Sequence, residues 1–210
     1  MLVPAILLVL AVSYLLGTLP SGRLAGVAAG VDISKHGSGN VGATNVLRLL
    51  GKPYGYAVFA ADAFKGFAAV RFAFFIMGRT GIPRHQVELI AIFAAITCIA
   101  GHAFPVWFCF KGGKGVATSG GAIFGLMPLA EIIIFFIWVA LFKTTRYVSI
   151  ASMGAAAALP LTVVMLLWLR LTEGRTLLYF SIATAVLVIW RHRSNLARLR
   201  AGTEPRFDRK

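Results

Sequence analysis

Residues 116–142 form a run of 27 amino acids that is apolar almost throughout, interrupted only near Gly125 and Pro128. Further apolar blocks cover residues 2–19, 54–77, 86–104, 148–169 and 176–190. A hydrocarbon core about 30 Å thick needs roughly 20 apolar residues per helical crossing. Within lipid the backbone must satisfy its own hydrogen bonds, so such blocks are read as helices. Composition agrees: 59% of residues are hydrophobic and only 13% charged, where a soluble domain carries about a quarter. The chain reads as an all-α, polytopic integral membrane protein. Residues 1–20 lack a basic leading segment, so the first block is expected to stay as a membrane helix.

Charge placement sets the expected topology. If residues 116–142 crossed once, the basic tail at 191–210 would lie opposite the two glycine-rich loops at 37–48 and 111–115. A hairpin of two short helices turning at 125–128 puts all three on one side. That side then collects Arg23, Lys35, Arg48, Lys52, Lys111, Lys114, Lys143, Arg146 and the seven cations of the tail, against Arg79, Arg84, Arg170 and Arg175 on the other. The positive-inside rule then gives seven transmembrane helices, with the N-terminus outside and the C-terminus cytoplasmic. Each hairpin arm would have about 13 residues, short for a full crossing. One membrane-embedded domain over residues 1–210 is expected, ending in the basic tail. The formal charge of +14 is assigned to orientation, and no nucleic-acid partner is expected, because no binding module lies between the spans. Cys98 and Cys109 are expected to be free thiols.

Three polar stretches carry the chemistry. In residues 101–118, GHAFPVWFCFKGGKGVAT, an aromatic run stops at Lys111-Gly112-Gly113-Lys114-Gly115, and a helix is expected from Val116. Glycine amides, a helix N-terminus and two lysines together suit an anion. The loop is not a Walker A motif, because no Ser or Thr follows Lys114. His102, one turn before the aromatic run, is a candidate base or donor. In residues 37–48, GSGNVGATNVLR, Ser38 or Asn40 is the expected N-cap, and Asn40, Thr44 and Arg48 would stack on one helical face. In the tail, Arg191, Asn195 and Arg198 share a face, and Glu204 follows.

Asp62 and Lys65, at i and i+3 within a span, are expected to neutralise each other, since an unpaired charge there is expensive. Such pairs also mark ion paths, which keeps a transporter or flippase of a phosphorylated metabolite or lipid as the alternative. Against it, the halves show no internal repeat. The four histidines show no ligand spacing, so no metal is expected. These residues describe a cytoplasm-facing pocket for a phosphate-bearing molecule meeting a hydrocarbon chain.

With GSGNVGATNVLR, Asp62…Lys65-Gly66, GHAFPVWFCFKGGKGVAT and WRHRSNLARLRAGTE in this order, the chain resembles the bacterial membrane acyl-phosphate:glycerol-3-phosphate acyltransferase family over nearly its whole length. Arg200 departs from the aliphatic residue common there. The resemblance implies a seven-span fold in the bacterial inner membrane with a cytoplasmic active site. It implies transfer of a fatty acyl group from acyl phosphate to the 1-hydroxyl of glycerol 3-phosphate, giving lysophosphatidic acid in the first step of phospholipid synthesis. No metal or cofactor is implied. A soluble acyl-phosphate-forming acyltransferase would supply the donor. The implied catalytic residues are His102, Ser38 and Asn40. The implied substrate and phosphate contacts are Gly39, Gly42, Thr44, Asn45 and Arg48, then Lys111, Gly112, Gly113, Lys114, Gly115 and Thr118, and in the tail Arg191, His192, Asn195 and Glu204.

Overall fold

The computed structural model describes residues 2–207, and among them every regular element is helical. In chain order these are α1 (Leu2–Thr18), α2 (Ser21–Ala28), α3 (Ala43–Leu50), α4 (Lys52–Met77), α5 (Arg84–Ala103), α6 (Val116–Leu126), α7 (Pro128–Thr145), α8 (Val148–Trp168), α9 (Arg175–Arg191) and α10 (Arg193–Arg200). Single 3-10 turns stand at Ile33–Lys35 and Val106–Phe108.

Among the described residues four stretches are long and apolar enough to cross a membrane: Leu2–Ala28, Arg84–Phe108, Pro128–Thr145 and Val148–Trp168. The other three expected spans each fall short for a visible reason. In α4, Asp62, Lys65 and Arg71 dilute the hydropathy of a 26-residue helix. α9 has 17 residues and α6 only 11. At ~1.5 Å per residue α6 reaches about 16 Å, half the hydrocarbon thickness. The expected break in 116–142 falls at Met127, but the arms are 11 and 18 residues rather than equal. Pro128 occupies the first turn of α7, where its fixed φ and missing N–H start a helix without loss.

The chain divides at this break into two compact units, one ending at Leu126 and the other beginning at Met127. In the first unit, α1 packs on α5 and α4 packs on α5 and α6. Glycines let these backbones touch: a Cβ at Gly17 would strike the Cys98 carbonyl, one at Gly66 the Thr118 carbonyl, and one at Gly121 the Ala63 carbonyl. Lipid offers no hydrophobic drive between helices, so such close van der Waals contact is what holds them. The polar segment 31–50 is pinned by a small apolar cluster, Ile33, Val46 and Val58, each at most 3% exposed. In the second unit α8 packs against both α7 and α9, and Trp138 Nε1 on α7 donates to Ser152 Oγ on α8 at 3.2 Å. The chain returns after α10 so that the Phe207 amide donates to the Arg146 carbonyl at 3.0 Å.

Two local expectations are corrected. α2, the segment SGRLAGVA, is a second short helix just beyond the first apolar block at residues 2–19, where no separate helix was expected. α3 begins at Ala43 with Gly42 as its N-cap, so neither Ser38 nor Asn40 caps it. The Asn40 carboxamide instead accepts from the Gly42 amide at 2.9 Å. This local turn competes with helix and keeps Asn40 off the face that carries Thr44 and Arg48.

Candidate active site

A small open cleft lies in the first unit where the α1–α2 junction, α4, the end of α5 and the lysine-glycine loop converge. Ser21, Arg23, Asp62, His102, Phe108 and Lys111 line it. Its floor is charged and buried. Asp62 and Lys65 sit one turn apart on α4, which brings Lys65 Nζ to 2.9 Å from Asp62 Oδ1, with both side chains at most 5% exposed. Lys65 Nζ also donates to the Leu19 carbonyl at 3.1 Å. Ser21 Oγ donates to Asp62 Oδ1 at 3.0 Å, and His102 Nδ1 lies 3.6 Å from the same oxygen. A carboxylate taken out of water needs several donors as well as a counter-charge, and α1–α2, α4 and α5 supply them together. The pairing of Asp62 with Lys65 is as expected. Its junction with His102 and Ser21 is what sequence reasoning missed.

The roof is the loop after α5. Phe108 and Phe110 both donate from their amides to the Pro105 carbonyl, and Cys109 and Phe110 take left-handed conformations, with φ of 49° and 61°. Trp107 Nε1 donates to Thr18 Oγ1 at 3.1 Å, which ties the aromatic run to α1. The Arg23 guanidinium lies 4.3 Å from the centre of the Phe108 ring, a cation–π contact that holds it beside the cleft. Arg23 and Lys111 therefore present two cations to one space, although Arg23 had been counted only as an orientation signal.

The expected anion cradle is corrected in one respect. The Gly112 amide donates to the Ala103 carbonyl at 3.2 Å and the Gly113 amide to the His102 carbonyl at 3.1 Å. Both fold the loop back on the last turn of α5, where carbonyls lack intrahelical partners. Their contribution to an anion is thus positional, and Lys111 supplies the charge at the cleft. Gly113 lies against the His102 ring, so that a Cβ there would collide with Nε2. Gly115 has φ of +81°, which favours glycine, and leads into α6. Lys114 is half-buried and stands outside the cleft lining. Thr118 is fully buried, with its carbonyl against Gly66, so it is part of the α4–α6 contact and does not face the cleft.

Of the segment 37–48 only Val41 lines the cleft. Ser38 and Gly39 are exposed, and Thr44 and Arg48 are half-buried on α3. Asn45 is 2% exposed, and its carboxamide is committed to the fold. Oδ1 accepts from the Ser38 amide at 3.0 Å, and Nδ2 donates to the Ile33 and His36 carbonyls at 3.3 and 3.1 Å. These bonds tie α3 to the 33–38 segment. Asn45→Ala should speed hydrogen exchange at the Ser38 amide and destabilise the segment by about 2 kcal/mol. Unchanged exchange together with lost activity would return the side chain to the substrate.

The tail residues lie in the second unit. His192 is buried, with Nδ1 2.8 Å from the Val188 carbonyl, and Arg191 ends α9. Asn195 Nδ2 donates to Glu204 Oε1 at 2.6 Å, and Arg198 Nε donates to Oε2 at 2.8 Å. Burial alone would raise the Glu204 carboxyl, but the Asn195 amide, the Ser149 hydroxyl and the Arg198 guanidinium together outweigh it and hold it below the usual glutamate value. Asn195 and Glu204 are thus joined to each other within the tail.

Comparison with known proteins gives a consistent result. The sequence profile of the family described as glycerol-3-phosphate acyltransferase matches residues 7–202. A glycerol-3-phosphate acyltransferase of Synechococcus elongatus is 44% identical over 196 residues, covering 93% of this chain and 91% of that one. One from Geobacter sulfurreducens is 40% identical over 201 residues, covering 96% and 97%. Among solved structures, PlsY (YgiH), an integral membrane glycerol 3-phosphate acyltransferase in its glycerol 3-phosphate form, superposes with a TM-score of 0.85 at 38% identity, covering 97% of this chain and 96% of that one. Its lysophosphatidic acid form gives 0.82.

Proposed function

The chain belongs to the glycerol-3-phosphate acyltransferase family and is an acyltransferase, and from that premise we propose that it carries a fatty acyl group from acyl phosphate to the 1-hydroxyl of sn-glycerol 3-phosphate. The C–O bond to phosphate breaks, an ester forms, and lysophosphatidic acid and inorganic phosphate leave. This would be the first step of phospholipid synthesis, performed by residues 1–210 as one domain. We place it in the bacterial inner membrane, with seven spans, an outside N-terminus and the active site towards the cytoplasm. A soluble acyltransferase that forms acyl phosphate is the proposed source of donor.

The observation that carries this reading is the cleft itself, where Arg23 and Lys111 stand beside His102 at an aromatic wall. Acyl phosphate is a mixed anhydride whose leaving group is already good, so no covalent enzyme intermediate is needed. The protein must bring two anions together, screen their repulsion and orient the hydroxyl, which is positioning and electrostatics. Lys111, with Lys114 behind it, would hold one phosphate. Ser38, Asn40, Thr44 and Arg48, on the segment whose Val41 reaches the cleft, would border the shared centre, with Arg48 on the glycerol 3-phosphate. The hydroxyl proton passes to His102 or to a phosphate oxygen of the substrate.

The test is purified protein in lipid with labelled glycerol 3-phosphate, offered palmitoyl phosphate, palmitoyl-CoA and palmitoyl carrier protein separately. Lysophosphatidate is expected from the acyl phosphate alone, with one phosphate released per product. Product from either thioester would overturn the donor, and no product from any of the three, in folded protein, would overturn the reaction.

A further inference from the structure

The buried acid of α4 has more partners than a neutralised pair requires. Asp62 Oδ1 receives Lys65 Nζ at 2.9 Å and Ser21 Oγ at 3.0 Å, and faces His102 Nδ1 at 3.6 Å. Lys65 is tied in turn to the Leu19 carbonyl at 3.1 Å. The far edge of the same imidazole abuts Gly113, and the His102 carbonyl takes the Gly113 amide at 3.1 Å. A continuous line therefore runs from the α1–α2 junction through Lys65 and Asp62 to His102, and from His102 to the loop that carries Lys111. Pairing alone would leave Asp62 and Lys65 facing one another on α4. Here the carboxylate is turned towards the cleft, which it lines together with Ser21 and His102.

We propose that Asp62 is a positioning residue that acts through His102. Its carboxylate fixes the imidazole by the Nδ1 edge, and the imidazole in turn supports the 111–113 loop, so that Lys111 meets a phosphate-bearing substrate at a set distance. Lys65 and Ser21 hold the carboxylate in that orientation, and Lys65 cancels its charge. The inference concerns the same site as the acyl-transfer reading and rests on it for its kinetic consequence, though not for the structural one.

The test is a double-mutant cycle between Asp62 and His102, read in two ways. In the wild-type background Asp62→Asn should raise KM for glycerol 3-phosphate about tenfold, and in a His102→Gln background less than twofold, because coupled residues do not add. Exchange of the Gly112 and Gly113 amides should quicken about tenfold in the first background and barely change in the second. Asp62→Asn leaves Lys65 buried and unpaired, so Asp62→Asn with Lys65→Met is made alongside it, and the same results are expected of this neutral pair. If the two losses multiply, or if the folded neutral pair keeps wild-type KM and exchange, Asp62 does not work through His102 and the proposal fails. His102→Gln with wild-type KM and loop exchange also overturns it. Wild-type protein that acylates nothing would overturn the acyl-transfer reading instead, while the exchange cycle would still decide this one.

Discussion

Gly113→Ala is expected to lower acyl-transfer turnover by roughly a hundredfold to ten-thousandfold, the range associated with misplacing a proton-transfer group, while the helices stay folded. A Cβ at this position would collide with His102 Nε2 and come to 2.8 Å from Cε1 and 3.1 Å from Cδ2. The imidazole is limited on its other edge by Asp62, already held by Lys65 and Ser21, so it can give way only into the cleft that it lines. If the loop moves instead, it loses the Gly112 and Gly113 amide bonds to the end of α5 and carries Lys111 away from the cleft. Either response separates the imidazole from the cation beside which it works. Gly115→Ala makes a useful contrast. Its φ of +81° makes alanine cost about 1–2 kcal/mol, but its nearest neighbour would lie 3.4 Å away, so the penalty is local strain without a collision. Measuring kcat, KM and thermal unfolding for both variants separates the cases. Gly113→Ala with wild-type turnover would mean that the loop and the imidazole do not act as one unit.

The helical scaffold was largely legible because apolar length is a one-dimensional signal. The break at Gly125–Pro128 was visible for a similar reason, since proline starts a helix from its own geometry. What failed were places where a polar group chooses among partners. Asn40 could cap a helix or close a turn on Gly42, and it closes the turn. The Gly112 and Gly113 amides could face an anion or the carbonyls of α5, and they take the carbonyls. Asn45, Asn195 and Glu204 were expected as substrate contacts, and in the fold their side chains fasten neighbouring segments to one another. The central junction was hidden by distance along the chain, since Ser21, Asp62 and His102 come from three different helices. One signal could have pointed to it. A carboxylate inside a span has more lone pairs than a single lysine satisfies, so Asp62 called for further donors, and His102 and Ser21 sit at neighbouring span ends.

Loss of the Glu204 carboxylate should loosen the C-terminal segment of the second unit, with Glu204→Ala costing about 3 kcal/mol. Asn195, 6% exposed, would lose its acceptor, and Arg198 its charge-assisted partner. The return of the chain depends on that clasp. Beyond it the Arg206 guanidinium lies over the Tyr147 ring, Phe207 meets Phe142 edge-on, and the Phe207 amide caps the Arg146 carbonyl. Glu204→Gln sharpens the test, because an amide oxygen can still accept from Asn195 while its NH2 faces the Arg198 N–H, donor against donor. A milder loss of about 1–2 kcal/mol is expected. The pH dependence has a definite sign. Glu204 titrates below its ordinary value in the folded chain, so its contribution is complete above the unfolded-state value of about 4.3 and is lost as pH falls towards the folded one. Glu204→Gln should remove that acid-side loss and leave neutral-pH behaviour flat. Thermal unfolding in lipid, with proteolysis of the tail as a second readout, measures all three effects. Unchanged unfolding with a raised KM for glycerol 3-phosphate would show instead that Asn195 and Glu204 hold the substrate.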